Sequence, residues 1–110
     1  MHPQTFGIKQ ENLHDERVVI HKEMGITHAD FLRLLPNALN SSHFVVKESE
    51  ITFADSHRQI RISLSPETER VIASMRLPVT HVTLEFKGYT EAERDVFLIH
   101  FDNSYRRGGG

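Results

Sequence analysis

The strongest constraint on the fold is an alternating segment, residues 58–64 (RQIRISL), which runs directly into a helix-start signal. Its isoleucines and leucine occupy every second position with polar residues between them, a pattern typical of a strand with one buried face. The tripeptide 65–67 (SPE) offers a capping serine, a proline suited to the first helical position and an acid for the positive end of the helix dipole. We therefore predict a helix over 65–77, ended by the Leu-Pro pair at 77–78, and an alternating strand over 79–87. The predicted helix has one apolar face, made of Val71, Ile72 and Met75.

The other segments carry clear periodicity of their own. They predict strands at 17–23, 43–48, 50–54 and 96–102, a helix over 27–39, and a turn or single helical turn over 88–94. Thr27 can cap the first helix, and Pro36 should end or kink that helix near Leu35.

These elements arrange themselves into two similar halves, residues 17–56 and 57–103, each with the order strand, helix, strand, strand. The predicted fold class is α+β, with a mainly antiparallel sheet of about six strands built from two βαββ halves and two helices packed on one face. Chance similarity between two short units is the alternative explanation of this repeat. Residues 1–16 are predicted to be a flexible polar leader, and 104–110 a flexible glycine-rich tail.

Composition excludes several classes of function. The chain has 110 residues, a formal charge of −2 and no cysteine, which suits one domain without disulfides, thiolate metal sites or a cysteine nucleophile. The charge balance gives no case for a nucleic-acid partner. Because no apolar run approaches a membrane span, we expect no membrane association and a cytoplasmic location.

One face of the predicted sheet should lie open, opposite the helices. Val19, Val45 and Leu98 add apolar contacts to this mostly polar face, which favours binding of a ligand, a protein partner or a second copy of the chain. The residues predicted to form this ligand or partner face are His21, Arg61, His81, Thr83 and His100.

The sequence contains eight histidines, and some lie on outward strand positions. If they converge on the open face, they could bind zinc or another divalent transition metal, since imidazole is the commonest protein ligand for such ions. The metal-ligand candidates are His21, His57, His81 and His100. Scattered surface histidines without a metal role are the alternative interpretation.

A His-x-Thr pair at His81 and Thr83 places an imidazole and a hydroxyl on one face of a strand, suited to acid–base catalysis and to holding a phosphate oxygen. This stretch resembles one motif of the two-histidine (2H) phosphoesterases. The resemblance implies hydrolysis of cyclic or 2′-linked nucleotides through two such motifs on pseudo-symmetric lobes. The repeat partner would be His43, with Val45 at the hydroxyl position.

The favoured hypothesis is a small non-catalytic binding or assembly module of unknown ligand that uses the open sheet face and forms a homodimer. A 2H-phosphoesterase-like hydrolase acting through His81 and Thr83 is the second hypothesis. A histidine-based metal-binding protein is the third.

Overall fold

An antiparallel six-stranded sheet and two helices build the part of the chain, residues 17–108, that the computed structural model describes. The strands are β1 (Arg17–Met24), β2 (Val45–Lys47), β3 (Glu50–Asp55), β4 (Arg58–Leu64), β5 (Thr68–Ile72) and β6 (Met75–Lys87), and the helices are α1 (His28–Leu39) and α2 (Glu91–Gly108). The sheet order is β1-β6-β4-β3-β2, and β5 pairs with the first part of β6. The predicted α+β class, with two helices and six antiparallel strands, is confirmed.

Both helices cover the same face of the sheet. Ile60 and Ile62 of β4 and Phe86 of β6 point into the core together with Phe31 of α1 and Phe101 of α2, and all five side chains are almost completely buried. Alternation along β4 and β6 sends every second side chain to the other side, which carries no helix among the described residues. The structure therefore has one covered face and one open face, as predicted.

Helix α1 begins as its sequence predicts. The Thr27 hydroxyl accepts a hydrogen bond of 3.1 Å from the N–H of Asp30, which caps the first turn. Pro36 does not end the helix, which continues to Leu39. The helix ends instead at Asn40, whose left-handed φ of 56° closes a C-terminal turn. Burial of the apolar residues on both sides of Pro36 holds the helix together across the missing N–H.

The helix predicted over 65–77 is wrong, because that segment forms the hairpin of β5 and β6. Ser65 and Glu67, which were expected to begin this helix, form hydrogen bonds with other elements. The Ser65 hydroxyl accepts from the N–H of His81 at 2.9 Å, and the Ser65 N–H donates to the His81 carbonyl at 2.9 Å. The Glu67 carboxylate accepts from the N–H of His28 at 2.7 Å, so it caps α1. The two Ser65 bonds continue the pairing of β4 with β6, and the Glu67 bond joins the segment before β5 to α1.

The strand predicted over 96–102 is also wrong, because these residues lie in α2. Thr90 and Glu93 start α2 with a reciprocal cap: the N–H of Glu93 donates to the Thr90 hydroxyl at 3.1 Å, and the N–H of Thr90 donates to the Glu93 carboxylate at 2.9 Å. Phe97, Phe101 and Tyr105 then follow at helical spacing of four and pack against the core. The second half of the fold is therefore strand, hairpin and helix, so the predicted βαββ repeat is absent.

Helix α2 also changes the predicted domain boundary. It runs to Gly108, with Ser104 and Tyr105 buried, so residues 104–108 belong to the packed domain and not to the predicted tail. The phenol of Tyr105 donates to the Phe31 carbonyl at 2.8 Å, and burial raises its pKa, which keeps it a neutral donor. The predicted leader, residues 1–16, lies outside the described residues.

Neither helix within residues 17–108 is both long enough and apolar enough to cross a membrane.

Substitution of Gly88 should test how tightly β6 is joined to α2. Gly88 has a φ of +83°, and a Cβ added there would lie 2.5 Å from the His57 carbonyl oxygen. We expect Gly88→Ala to lower the free energy of unfolding by about 2 kcal/mol or more, measured by chemical denaturation. Gly25→Ala is the matched control, because its Cβ would make an ordinary contact of 3.6 Å with the Pro78 carbonyl oxygen. Equal losses in the two variants would contradict this account.

Candidate functional site

The open face presents its side chains in straight rows across the sheet. The register of the strand pairs places one row along Val19, Glu85, Arg61, Thr52 and Val45, from β1 at one edge to β2 at the other. The next row contains His21, Thr83, Ser63, Glu50 and Lys47. The strand residues predicted to point outward therefore share this face.

Ion pairs fill the centre of the open face. The Glu85 carboxylate lies 3.4 Å from Arg17 and 3.2 Å from Arg61, and Arg61 also reaches Glu50 at 3.6 Å. Covering such a network with a flat partner would remove these charges from water, at a cost that their mutual attraction often fails to offset. Val19 and Val45, two of the apolar residues predicted for this face, lie at its opposite edges and form no common apolar patch.

The structure brings together most of the predicted ligand face. His21 and Thr83 pair across β1 and β6, with 3.2 Å between the imidazole Nδ1 and the hydroxyl Oγ1. His81 lies two residues before Thr83 on the same face, and Arg61 lies on the neighbouring strand β4. His100 does not belong to this face, because it lies on α2 within 2.9 Å of the Asn37 carbonyl oxygen. Leu98 is likewise on α2.

The four candidate metal ligands do not converge. His21 and His81 share the open face, but His57 lies in the turn between β3 and β4 and His100 on the helical side of the sheet. In the described segment, 17–108, no three His, Cys, Asp or Glu side chains come close enough to hold a metal ion.

The two histidines of the phosphoesterase comparison are also separated. His81 and Thr83 share the open face, as the His-x-Thr pattern predicts. His43 precedes β2 and lines a cleft between the ends of the helices, on the other side of the sheet. Val45 is on the open face but on β2, at the far edge from β1. The pseudo-symmetric pair of motifs that the resemblance implies is therefore not assembled.

That cleft is a feature that the sequence analysis missed. It has a volume of about 530 Å³ and lies between the end of α1, the β3–β4 turn and the start of α2. Arg58 is its central group: its guanidinium donates to Asp55 at 2.7 Å, lies 3.7 Å from Glu93 and stacks over the Tyr89 ring at 4.6 Å. The hydrogen bond to Asp55 raises the pKa of Arg58, and burial raises the pKa of Tyr89. Arg58 thus fastens the β3–β4 turn to α2, and its separation of three residues from Asp55 is the sequence signal that could have indicated it.

Residues 68–79 form a hairpin arm, consisting of β5, the turn at 73–74 and the start of β6. In the described part of the chain, β5 pairs only with β6. The apolar side chains predicted to form a helix face, Val71, Ile72 and Met75, are instead exposed on this arm. Leu77, the predicted end of that helix, is exposed as well. Pro78 lies beside the end of β1, with its carbonyl oxygen near Gly25.

The second notable feature is the outer edge of β1. Because Ser65 N–H bonds the His81 carbonyl, odd-numbered residues of β6 turn their main chain toward β4 and β5, and even-numbered residues turn theirs toward β1. The register with β6 then directs the N–H and C=O groups of alternate β1 residues away from the sheet. These outward residues are Arg17, Val19, His21 and Glu23. Pairing on that side of β1 is absent from the described residues.

The core is also incomplete along this edge. Val18, Ile20 and Met24 face the helices but are only partly buried, whereas the core-facing residues of β4 and β6 are buried. A neighbouring strand would therefore provide hydrogen-bond partners for the backbone of β1 and bury more of its apolar side chains.

The capping role of Glu93 predicts a specific pH dependence. The N–H of Thr90 bonds the Glu93 carboxylate and lowers its pKa below the ordinary value of 4.5. Its stabilising contribution is thus present above that value and is lost as the pH falls through the lowered folded-state pKa. The stability difference between wild type and Glu93→Gln, measured by urea unfolding, should shrink between about pH 5 and pH 3. Glu91→Gln in the same helical turn is the control and should change less. A Glu93→Gln difference that stayed constant with pH would refute the assignment.

No family model, curated protein or solved structure matches this chain.

Proposed function

We propose that this chain is a small assembly module that works as a homodimer, in which a second copy continues the sheet beyond β1. The observation that carries the proposal is the outer edge of β1, where main-chain groups on alternate residues from Arg17 to Glu23 have no strand partner within residues 17–108. Exposed edges of this kind bind further strands, and proteins that avoid such pairing shorten, bulge or cover them. Strand β1 is eight residues long and pairs in a continuous register.

The ion pairs on the open face favour dimerisation through the edge of the sheet over dimerisation through that face. A partner lying flat on the sheet would have to bury the ion pairs of Glu85 with Arg17 and Arg61. A partner strand beside β1 leaves those ion pairs in solvent and completes the burial of Ile20 and its neighbours. The open faces of the two copies then lie side by side and form one continuous surface, on which His21, His81 and Thr83 remain accessible for a ligand.

The mass of the protein in solution tests this proposal directly. Size exclusion with light scattering, over a series of protein concentrations, should give twice the chain mass of 12.7 kDa. A monomer at all concentrations would refute the proposed function.

Val19→Pro should convert the dimer to a monomer while leaving the fold intact. The N–H of Val19 points away from β6, so its removal breaks no β1–β6 hydrogen bond but removes a donor from the outer edge. The same mass measurement checks the outcome, and a thermal melt followed by circular dichroism checks the fold. Val19→Thr keeps both the N–H and the β-branched shape and should remain dimeric. If Val19→Pro were folded and still dimeric, the contact would lie elsewhere.

A further inference from the structure

We infer that two copies pair through β1 in one particular antiparallel register, with the two-fold axis passing beside Ile20. This inference rests on the proposed function and adds the geometry of the contact. In this register Arg17 lies opposite the partner's Glu23, and Val19 lies opposite the partner's His21. The two-fold axis repeats both pairings, so each occurs twice.

The backbone supports this register. In an antiparallel pair, hydrogen-bonded positions are those whose main-chain groups point at each other. The outward groups of β1 belong to Arg17, Val19, His21 and Glu23. With the axis at Ile20, each of these residues meets another outward residue, and none is left over. The full length of the edge is therefore used.

The side chains are complementary in the same register. Arg17 and Glu23 are both on the open face, and their side chains are 51% and 42% exposed. Their opposite charges meet twice across the axis, which favours this pairing. Val19, 48% exposed, gains the imidazole ring of the partner's His21 as a neighbour. On the helical side, the partly buried Ile20 meets its own copy, so the two incomplete cores join.

Neighbouring registers lack this match. An axis at His21 would place Val19 opposite the partner's Glu23, set the two imidazoles against each other and leave Arg17 beyond the end of the partner strand. An axis at Val19 would place Arg17 opposite the partner's His21 and carry Glu23 past the start of the partner strand. Only an axis at Ile20 places Arg17 opposite the partner's Glu23, at both ends of the paired edge.

The contacts that Arg17 and Glu23 make within the chain leave both side chains able to pair across the dimer interface. Arg17 reaches Glu85 through one guanidinium nitrogen at 3.4 Å, so its other donors stay available. Glu23 contacts Arg70 of the hairpin arm through one carboxylate oxygen. A second bond from each group to the partner does not require either contact to break.

Charge reversal tests the register, with the dimer dissociation constant measured by sedimentation equilibrium. Arg17→Glu and Glu23→Arg should each raise this constant by about tenfold or more, since each change replaces two attractive pairs with two repulsive ones. The double variant should return the constant to near the wild-type value. Rescue is specific to the proposed contact, because the double variant restores neither Arg17 with Glu85 nor Glu23 with Arg70 within the chain. Lys47→Glu, a charge reversal on the opposite edge strand β2, is the control and should leave the constant unchanged.

Amide hydrogen exchange gives an independent readout of the same register. The N–H groups of Val19, His21 and Glu23 should be protected in the dimer and lose protection on dilution. A wild-type dimer whose double variant shows no rescue would overturn the register while leaving the homodimer standing. A wild-type monomer would overturn both proposals, and protected β1 amides in that monomer would show that the edge is covered from within the chain.

Discussion

Strand β6 is the element on which the other parts of the structure depend, because its main chain serves three neighbours. It pairs with β1 on one side and with β4 and β5 on the other. Alternation of its hydrogen-bonding groups fixes both the face that meets the helices and the edge that β1 leaves open. Leu84 and Phe86 anchor the core, while Thr83 and Glu85 organise the open face. A shift of one residue in this strand would exchange the two sets.

The periodic segments could be predicted from the sequence because each strand buries one face, which leaves an alternating pattern in its own residues. The alternation of β4 and of the second part of β6 reports one buried face, and the Thr27 cap reports the start of α1. These positions also located the strand residues of the open face. The helix predicted over 65–77 is wrong because of long-range contacts. Ser65 accepts a hydrogen bond from β6 and Glu67 accepts one from α1, so neither residue caps a helix in its own segment.

The misplacement of 96–102 has a different cause. Phe97, Ile99 and Phe101 alternate in sequence, but the structure buries Phe101 and leaves Ile99 64% exposed, which is the pattern of a helix. The reciprocal cap of Thr90 and Glu93 was the deciding local signal. Because this segment is helical, His100 lies on α2 and not on the predicted ligand face. The spacing of Asp55 and Arg58 could have indicated their ion pair, but the cleft around Arg58 could not be predicted, since it forms only when three separate elements meet.

Pro78 has a consequence for how large an assembly can become. Its position on β6 turns its nitrogen toward the side where β1 has ended, so the main chain there offers no donor to an incoming strand. At the opposite edge of the sheet, β2 has only three residues, too few to template extended pairing. Once two β1 edges have joined, these two edges, beside Pro78 and along β2, are poor templates for a further strand. A contact of this kind is isologous and closes on itself, which separates a finite pair of chains from an open-ended fibre.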